Sequence, residues 1–384
     1  MLHVLIDHNP AIRKLINEGY EVEINDKFIL VNHIPYITVN KTVMYGSIAS
    51  TYRIYDKEIR MIDHTAYFCG DMFCNIDYTP ISSIINSSQK IEVASKVFSS
   101  YFLSSKPSTG YYDNFYDKFI TYIKIISGPA LFLDPTVVIK TFKSIHFMEG
   151  SIFNYPNIAT PIEGYDELLN KLEKMKIGII GLGGTGSYIL DYLAKTNISE
   201  IHLFDGDDYY AHNAYRAPGV TTLEELQFGY NKVEYFASKY SSLRKGIIAH
   251  PCYITEENLS LLDNLDFVFV SIDNGKYRKI IHDYLFSKNV DFIDNGIGMD
   301  ISVNGVYGTA RVSLLSEKHN KFDAIDYSNN RDNIYDSNLQ IVEFNSLNAC
   351  LAVIRFKQFI GFYLDDVDPD LTTLSISNLE VYNG

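Results

Sequence analysis

The chain has 384 residues, of which 46% are hydrophobic and 21% charged, a composition typical of folded proteins and not of disordered ones. Its 33 basic and 47 acidic residues give a formal net charge of −14, which argues against a binding surface for nucleic acid. The sequence lacks an apolar run long enough to cross a membrane, a signal-peptide pattern and a CxxC pair. We therefore expect a cytoplasmic protein without membrane or nucleic-acid partners and without zinc.

Residues 1–160 have a mixed pattern that predicts a small α+β domain. Its predicted elements are, in chain order, a helix over Pro10–Glu18, strands within Gly19–Tyr45 with breaks at Asn25–Asp26 and near Pro35, a strand within His64–Phe73, and helices over Lys90–Leu103 and Asn114–Ile126. Residues 151–163 hold two prolines and little periodicity, so they predict the connection to a second domain over residues 165–384. We expect the first domain to recognise a partner or a substrate.

From residue 165 onwards, helical and strand patterns alternate. The predicted helices are Tyr165–Lys174, about Gly186–Lys195, Asn231–Tyr240, Glu257–Leu262 and Tyr277–Lys288, and the predicted strands are Lys176–Ile180, Glu200–Asp205, Ile247–Tyr253, Phe267–Ile272 and Asp291–Asn295. This alternation predicts an α/β domain with a doubly wound, mostly parallel sheet of the Rossmann-like kind. Further strands near Gly305–Leu315 and an apolar helix over Asn345–Tyr363 follow.

A glycine-rich segment follows the first predicted strand of the second domain directly and opens a helix. Such glycines let the backbone turn tightly and approach a phosphate, whose charge is met by amides at the helix N-terminus. Asp205 closes the next strand, where a carboxylate can bond a ribose hydroxyl. These residues fit NAD or FAD as well as ATP, so they indicate only a nucleotide-binding protein. The glycines are Gly181, Gly183, Gly184 and Gly186.

A second set of polar residues separates these alternatives. Asp207, Asn213 and Arg216 follow the second strand, Lys232 opens a helix, and Asp273 follows the fourth strand. Dinucleotide enzymes rarely need this set, whereas a triphosphate does. Arg216 and Lys232 can neutralise phosphate charge, and Asp273 can hold Mg²⁺. All these residues fall beyond the carboxyl ends of predicted parallel strands, where ligands of such sheets gather.

Taken together, these residues resemble the ThiF/HesA/MoeB superfamily, the adenylating domains of ubiquitin-activating enzymes. The family pattern is a GxGGxGS loop, a strand ending in Asp-x-Asp, an Asn-x-x-Arg, a Gly-x-x-Lys and an acidic residue after the fourth strand. All five elements occur in order within residues 165–363. They are the loop over residues 181–187, Asp205 with Asp207, Asn213 with Arg216, Gly229 with Lys232, and Asp273.

The resemblance implies a reaction, its cofactors and its partners. ATP and Mg²⁺ would bind, and a carboxylate, most simply the C-terminal glycine of a ubiquitin-like protein, would be adenylated in a bacterial ubiquitin-like conjugation system. Relatives pair their adenylating domains, so we expect a homodimer, and a downstream conjugating protein is a further candidate partner. The implied catalytic residues are Arg216, Lys232 and the magnesium ligand Asp273, and the implied ATP-binding residues are the four glycines, Asp205, Asp207 and Asn213.

Several departures from the family pattern bear on this prediction. Ala217 stands where relatives often have Gln, and no arginine lies between residues 140 and 176 to supply the further phosphate contact that a partner subunit often gives. The region 313–345, which often carries the thioester cysteine, has no Cys. Adenylation is therefore predicted without the usual sulfur relay, with Cys74 as the remaining candidate acceptor. Substitutes for the missing arginine are Arg13, Arg53, Arg60, Lys174 and Lys176.

Three alternatives stay open from the sequence alone. The carboxylate substrate could belong to a small molecule or a peptide; a tRNA substrate is disfavoured by the net charge. A degraded site could make the chain a scaffold for an active partner. An NAD- or FAD-dependent oxidoreductase would leave the second polar set unexplained. The N-terminal region also resembles a domain found before ThiF domains in bacterial ubiquitin-like gene clusters, a domain to which no activity is attached.

Overall fold

A computed structural model describes residues 9–25, 27–55, 58–143, 152–154, 165–328 and 340–384. The chain divides into two compact units, Met1–Pro161 and Ile162–Gly384. Of the predicted connection at 151–163, only residues 152–154 lie in the described part. In that part of the chain, every helix is too short or too polar to cross a membrane.

The first unit is built on an antiparallel sheet. Its elements are the helix α1 (Pro10–Asn17), the strands β1 (Glu21–Ile24), β2 (Phe28–Ile37), β3 (Val43–Tyr55), β4 (Glu58–Met61), β5 (Thr65–Cys69), β6 (Ile85–Ser88), β7 (Glu92–Ala94), β8 (Val97–Phe98) and β9 (Tyr101–Ser104), and the helix α2 (Phe115–Leu133). The main sheet has the order β1-β2-β3-β5-β9-β6, β4 pairs with β3, and β7 and β8 form a separate hairpin. The predicted α+β character of this region is therefore observed.

The core of the first unit lies between the sheet and the two helices. Along α2, Phe115, Phe119, Tyr122 and Ile126 are buried at helical spacing, and they join one apolar cluster with the inward side chains of the strands. Asn114 caps this helix by accepting a hydrogen bond from the amide of Asp117. The helix continues to Leu133, beyond the predicted end at residue 126.

Two predictions in the first unit are wrong. The predicted helix over Lys90–Leu103 is a hairpin followed by a strand, because only alternate side chains such as Val93 and Leu103 reach the core. Strand β2 does not end near Pro35, although its register with β3 shifts between Val31 and Ile34. Pro35 pairs with Tyr45 of β3 and lies beyond the ladder of β1 with β2, which reaches only to Asn32.

The second unit alternates strands and helices. Its elements are α3 (Tyr165–Glu173), β10 (Lys176–Ile180), α4 (Gly184–Ala194), β11 (Glu200–Phe204), α5 (Ala211–Ala214), α6 (Leu223–Phe228), α7 (Lys232–Ser241), β12 (Ile247–His250), a 3₁₀ turn (Leu259–Leu262), β13 (Phe267–Val270), α8 (Gly275–Ser287), β14 (Asp291–Ser302), β15 (Gly305–Leu315), a second 3₁₀ turn (Phe322–Ala324), α9 (Val342–Phe359), β16 (Leu371–Ser375) and β17 (Glu380–Asn383). The sheet order is β12-β11-β10-β13-β14-β15-β16-β17. Pairing is parallel from β12 to β14 and antiparallel beyond, which confirms the predicted fold class.

Both faces of the parallel strands are covered. Along β13, Phe267 and Phe269 pack on one face in a cluster that includes side chains of α4, α7 and α9. The intervening Val268 and Val270 pack on the other face, in a cluster that includes side chains of α8. Burial on both sides explains why these strands are continuous apolar runs.

In the second unit one predicted helix is wrong, one predicted strand is too short, and the predicted strand Ile247–Tyr253 is too long, because it ends at His250. Residues 257–262 do not form an α-helix, because Asn258 accepts a hydrogen bond from the Thr255 amide and donates to the Tyr253 carbonyl, which stabilises a turn. The 3₁₀ turn that follows covers Leu259–Leu262. Strand β14 continues beyond the predicted end at Asn295 into a long hairpin with β15.

Candidate nucleotide site

The carboxyl ends of the parallel strands meet at one edge of the sheet. The last residues of β10, β11, β12 and β13 are Ile180, Phe204, His250 and Val270, and each pairs with its neighbour across the sheet. The segments that leave these strands therefore start side by side. The predicted site residues lie on these segments or on the helices that follow them.

Steric contacts explain why three of the four loop positions are glycine. Gly181 has a φ of +87°, and a Cβ there would lie 2.5 Å from the carbonyl oxygen of Ser271. A Cβ on Gly186 would overlap the Gly181 carbonyl oxygen, and a Cβ on Gly184 would overlap the Asn345 side chain. Gly183 is different, because a Cβ there would meet no atom within 4 Å. Space beside Gly183 is open to a ligand that approaches the backbone.

The glycine loop leads into the N-terminus of α4. Gly183 is the N-cap residue, and with no side chain it offers the first amides of the helix no acceptor. This helix has 11 residues, so its amide dipoles add up to a positive N-terminal end. An anion beside Gly183 would meet these amides.

Asp205, which directly follows β11, is hydrogen-bonded to the glycine loop. Its Oδ2 accepts from the amide of Leu182 at 2.7 Å, and its Oδ1 accepts from the amide of Asp207 at 2.9 Å. The side chain is almost fully buried. Asp205 therefore shapes the loop, and its remaining lone pairs are the ones that a ribose hydroxyl could use.

Lys232 and Asp207 form an ion pair at the same edge. Lys232 Nζ lies 2.5 Å from Asp207 Oδ2 and 3.6 Å from Asp205 Oδ1, and the lysine side chain is only 8% exposed. The other Asp207 oxygen accepts a hydrogen bond from the hydroxyl of Tyr253. Burial alone would raise the pKa of Asp207, but the hydrogen bonds from Lys232 and Tyr253 and the charge of Arg216 lower it overall.

Two donors near this pair lack acceptors. Asn213 is buried, and its Oδ1 accepts from the amide of Tyr210 at 2.8 Å. Its Nδ2 has no hydrogen-bond partner within the described part of the chain, and neither has the buried Nε of Arg216. Buried donors without acceptors are costly, so both groups are suited to a ligand that brings acceptor oxygens.

Asp273 lies on the loop that leaves β13. Its side chain is exposed, and the next residue, Asn274, caps α8 by accepting from the amide of Tyr277. Among the described residues, no three His, Cys, Asp or Glu side chains gather to hold a metal. A magnesium ion bound through phosphates and water needs only one or two carboxylates, so a single exposed aspartate fits that kind of site.

The candidates for the missing arginine are spread over both units. Lys176 opens β10, about 13 Å along the strand from its carboxyl end, and pairs with Glu200 at 3.1 Å. Neither it nor Lys174 before it reaches the glycine loop. Arg13, Arg53 and Arg60 belong to the first unit. The region 313–345 lies partly outside the described residues.

Cys74 lacks the setting of a reactive thiol. It is fully buried, and burial together with the charge of Asp77 raises the pKa of its thiol. A nucleophilic cysteine needs an exposed, electropositive surrounding that lowers its pKa instead. The geometry therefore favours a packing role for Cys74.

Sequence reasoning missed two residues at this edge. Tyr253 was predicted only as the end of a strand, and its contact with Asp207 depends on tertiary structure. Asn345 lies at the start of α9, in a helix predicted only as apolar, and is buried against Gly184. Asn345 is one of several polar residues in this helix, so the sequence pattern alone does not single it out.

Comparisons with known proteins found two family models and several similar solved structures. Two family models match the chain: the domain of unknown function DUF6791 over residues 10–158 and the ThiF family over residues 156–337. The crystal structure of selenomethionine PaaA is similar at 18% identity, over 57% of this chain and 75% of that chain, with a TM-score of 0.46. The crystal structure of E. coli MccB with ATP is similar at 19% identity, over 56% of this chain and 65% of that chain, with a TM-score of 0.44. No curated protein matches the chain.

Proposed function

Because the chain belongs to the ThiF family over residues 156–337, and so carries an adenylating fold, we propose that it activates a carboxylate by adenylation with ATP. One observation supports this most strongly. The open backbone at Gly183, the buried Lys232 and the unpartnered donors of Asn213 and Arg216 all come from segments that leave one edge of the sheet. This set can accept a polyphosphate, and Asp205 can accept the ribose.

The proposed reaction joins two anions. A carboxylate oxygen attacks the α-phosphorus of ATP, the bond from that phosphorus to the α,β-bridging oxygen breaks, and pyrophosphate leaves with the electron pair, giving an acyl-adenylate. The carboxylate is ionised at pH 7, so a general base is not needed. The protein has to neutralise the charge of the two anions and align the carboxylate with the α-phosphorus. Arg216 and Lys232 would stabilise charge on the phosphates.

Mg²⁺ would bind at Asp273 together with the phosphates. When bound, it would supply positive charge to the pyrophosphate leaving group. Asp273 is exposed beyond the end of β13, so it can reach a ligand that lies over the edge of the sheet.

The substrate that we propose is the C-terminal glycine of a ubiquitin-like protein, activated for a bacterial ubiquitin-like conjugation system. The five-element motif of the adenylating domains supports this class. To residues 10–158, which match the domain of unknown function DUF6791, we assign recognition of the substrate or of a partner. The region 313–345 contains no cysteine. The acyl group would therefore pass from the adenylate to a downstream conjugating protein, with the enzyme acting as a homodimer.

ATP–pyrophosphate exchange with Mg²⁺ tests the proposal. Each small protein encoded beside this gene is the carboxylate donor, compared with the same protein lacking its C-terminal residue. Exchange that requires the intact C-terminus supports adenylation of that protein, and Lys232→Met should abolish it. Lys195→Met is the matched control, because Lys195 is an exposed lysine that pairs with Asp191 on α4. ATP binding without exchange in any combination would favour a scaffold or an untested small carboxylate, and no ATP binding would refute the proposal.

A further inference from the structure

Tyr253 lies over the backbone between the two aspartates that follow β11. A Cβ on Gly206 would come within 2.7 Å of two carbons of the Tyr253 ring, so only glycine lets the ring sit this close. Asn258 holds the backbone in place by donating to the Tyr253 carbonyl at 2.9 Å. Even so, 59% of the side chain is exposed. An aromatic ring that is fixed on one side and open on the other is suited to contact a ligand.

The hydroxyl of Tyr253 donates a hydrogen bond to one oxygen of Asp207, and Lys232 donates one to the other oxygen. The hydrogen bond to Asp207 raises the pKa of Tyr253 to about 12, so the phenol stays a donor at neutral pH. The carboxylates of Asp205, Asp207 and Asp208 outnumber the cations Lys232 and Arg216 at this point. A phosphate can recruit Lys232 only in competition with Asp207.

We propose that Tyr253 is a positioning residue of the nucleotide site, which rests on the proposed use of ATP. Its hydroxyl satisfies Asp207 and so lets Lys232 turn from that carboxylate to a phosphate, while its ring would contact the nucleoside whose ribose Asp205 accepts. Without the hydroxyl, the charge of Asp207 would be met mainly by Lys232, and the ion pair would tighten. Tyr253 thus sets how readily the phosphate-binding lysine is released.

A double-mutant cycle with ATP in calorimetric titration tests this role on the full chain. Tyr253→Phe keeps the ring and should raise the Kd for ATP about tenfold. In the Asp207→Asn background, where the competing charge is gone, the same change should raise the Kd less than about twofold. Tyr284→Phe is the matched control, because Tyr284 donates a similar hydrogen bond to Asp263. Equal effects of Tyr253→Phe in both backgrounds, or no effect in either, would overturn the role.

The ring contact has its own test. Gly206→Ala should displace the ring and weaken ATP binding at least as much as Tyr253→Phe, and adding Tyr253→Ala should then weaken binding little further. Gly298→Ala is the control, because a Cβ at that position meets no atom within 4 Å. Gly219→Ala is unsuitable, because Gly219 has a φ of +82°. Additive losses from Gly206→Ala and Tyr253→Ala would overturn the contact. If wild-type protein binds no ATP, the proposed function fails as well; if wild type binds and the Tyr253 variants bind equally, only this inference fails.

Discussion

Arg278 links the buried carboxylate of Asp294 to the loop that carries Asp273. Its Nε lies 3.5 Å from Asp294 Oδ1 and donates to the carbonyl of Ile272 at 3.1 Å. Asp294 is fully buried, which by itself would raise its pKa, but contacts with His282, Arg311 and Arg278 lower it overall. The core thus holds an ionised Asp294. Its partner Arg278 also donates a hydrogen bond to Ile272, the residue just before the proposed magnesium ligand.

Replacing this arginine should disturb the magnesium site more than the fold. In Arg278→Lys the ammonium keeps the charge beside Asp294, but it cannot reproduce the planar set of donors that reaches Ile272 and the carbonyl of Asp326. We expect the Mg²⁺ concentration for half-maximal exchange to rise several-fold, with exchange at saturating Mg²⁺ reduced about tenfold. Lys279→Met, on the next residue, is the control. An unchanged Mg²⁺ dependence would show that the loop is held by other contacts.

The loop glycines should separate into structural and ligand-contacting positions. Gly183→Ala should lose less stability than Gly186→Ala, because its backbone is extended, at φ −70° and ψ −154°, and its Cβ has open space, yet it should weaken ATP binding. Gly186→Ala should instead lower the melting temperature by several degrees, because its Cβ would overlap the Gly181 carbonyl. Thermal unfolding and ATP titration of both variants check this. Wild-type ATP affinity in Gly183→Ala would place the phosphates elsewhere.

Asp273 should matter for turnover and not for stability. Its side chain is exposed, so Asp273→Ala should leave the melting temperature unchanged. We expect Mg²⁺-dependent exchange to be lost, while ATP binding measured without Mg²⁺ persists. Asp283→Ala is the matched control, since Asp283 is an exposed aspartate of α8 paired with Lys279. Normal exchange in Asp273→Ala would remove the metal role assigned to it.

Cys74 should not participate in the reaction. Cys74→Ser should leave ATP–pyrophosphate exchange and transfer to the acceptor intact, because the thiol is buried and its pKa is raised. In the native protein, this thiol should also react with iodoacetamide far more slowly than in urea. A modifier attached through an alkali-labile bond in wild type and absent from Cys74→Ser would contradict this expectation.

The elements that sequence patterns predicted best are those whose burial is decided locally. Strands β10 and β13 are apolar on both faces, and the glycine segment begins where β10 ends, so the order of the motifs predicts where the candidate nucleotide site lies in the sheet. Lys232 and Asp205 were predicted to lie at the same edge for the same reason. Parallel strands bring their carboxyl ends together whatever the loops do.

Long-range contacts decided what the sequence could not predict. Lys90–Leu103 contains an apolar pattern that fits a helix, but Val93 is buried against Phe28 and Leu30 of a strand far away in the chain. Tyr253 and Asp207 are likewise distant in sequence, and their hydrogen bond depends on how the loop after β12 folds back. Neither feature leaves a local signal.

Lys118 gives the first unit a predictable dependence on pH. It is fully buried on α2, where its Nζ donates to Ser50 Oγ at 2.8 Å and to the Asp63 carbonyl at 2.9 Å. Burial lowers its pKa from 10.5 to about 8, partly offset by the charge of Asp63, so the buried ammonium costs about 3 kcal/mol at pH 7. The unfolded chain keeps this proton up to about pH 10.5, so the contribution of Lys118 to stability should rise as pH increases above about 8, against an opposing contribution from the buried thiols of Cys69 and Cys74, whose pKa values are raised.

Lys118→Met should therefore remove this rise and stabilise the unit at pH 7 by about 1 to 2 kcal/mol, once the loss of the two hydrogen bonds is allowed for. Urea unfolding at pH 7, 8 and 9, followed by circular dichroism, measures the difference between variants. The range stops below pH 10, because burial raises the pKa of Tyr122 and tyrosine ionisation would then act in the opposite direction. Lys124→Met, an exposed lysine on the same helix, should keep the wild-type slope. If Lys118→Met keeps that slope too, the ammonium is not the source of the pH dependence.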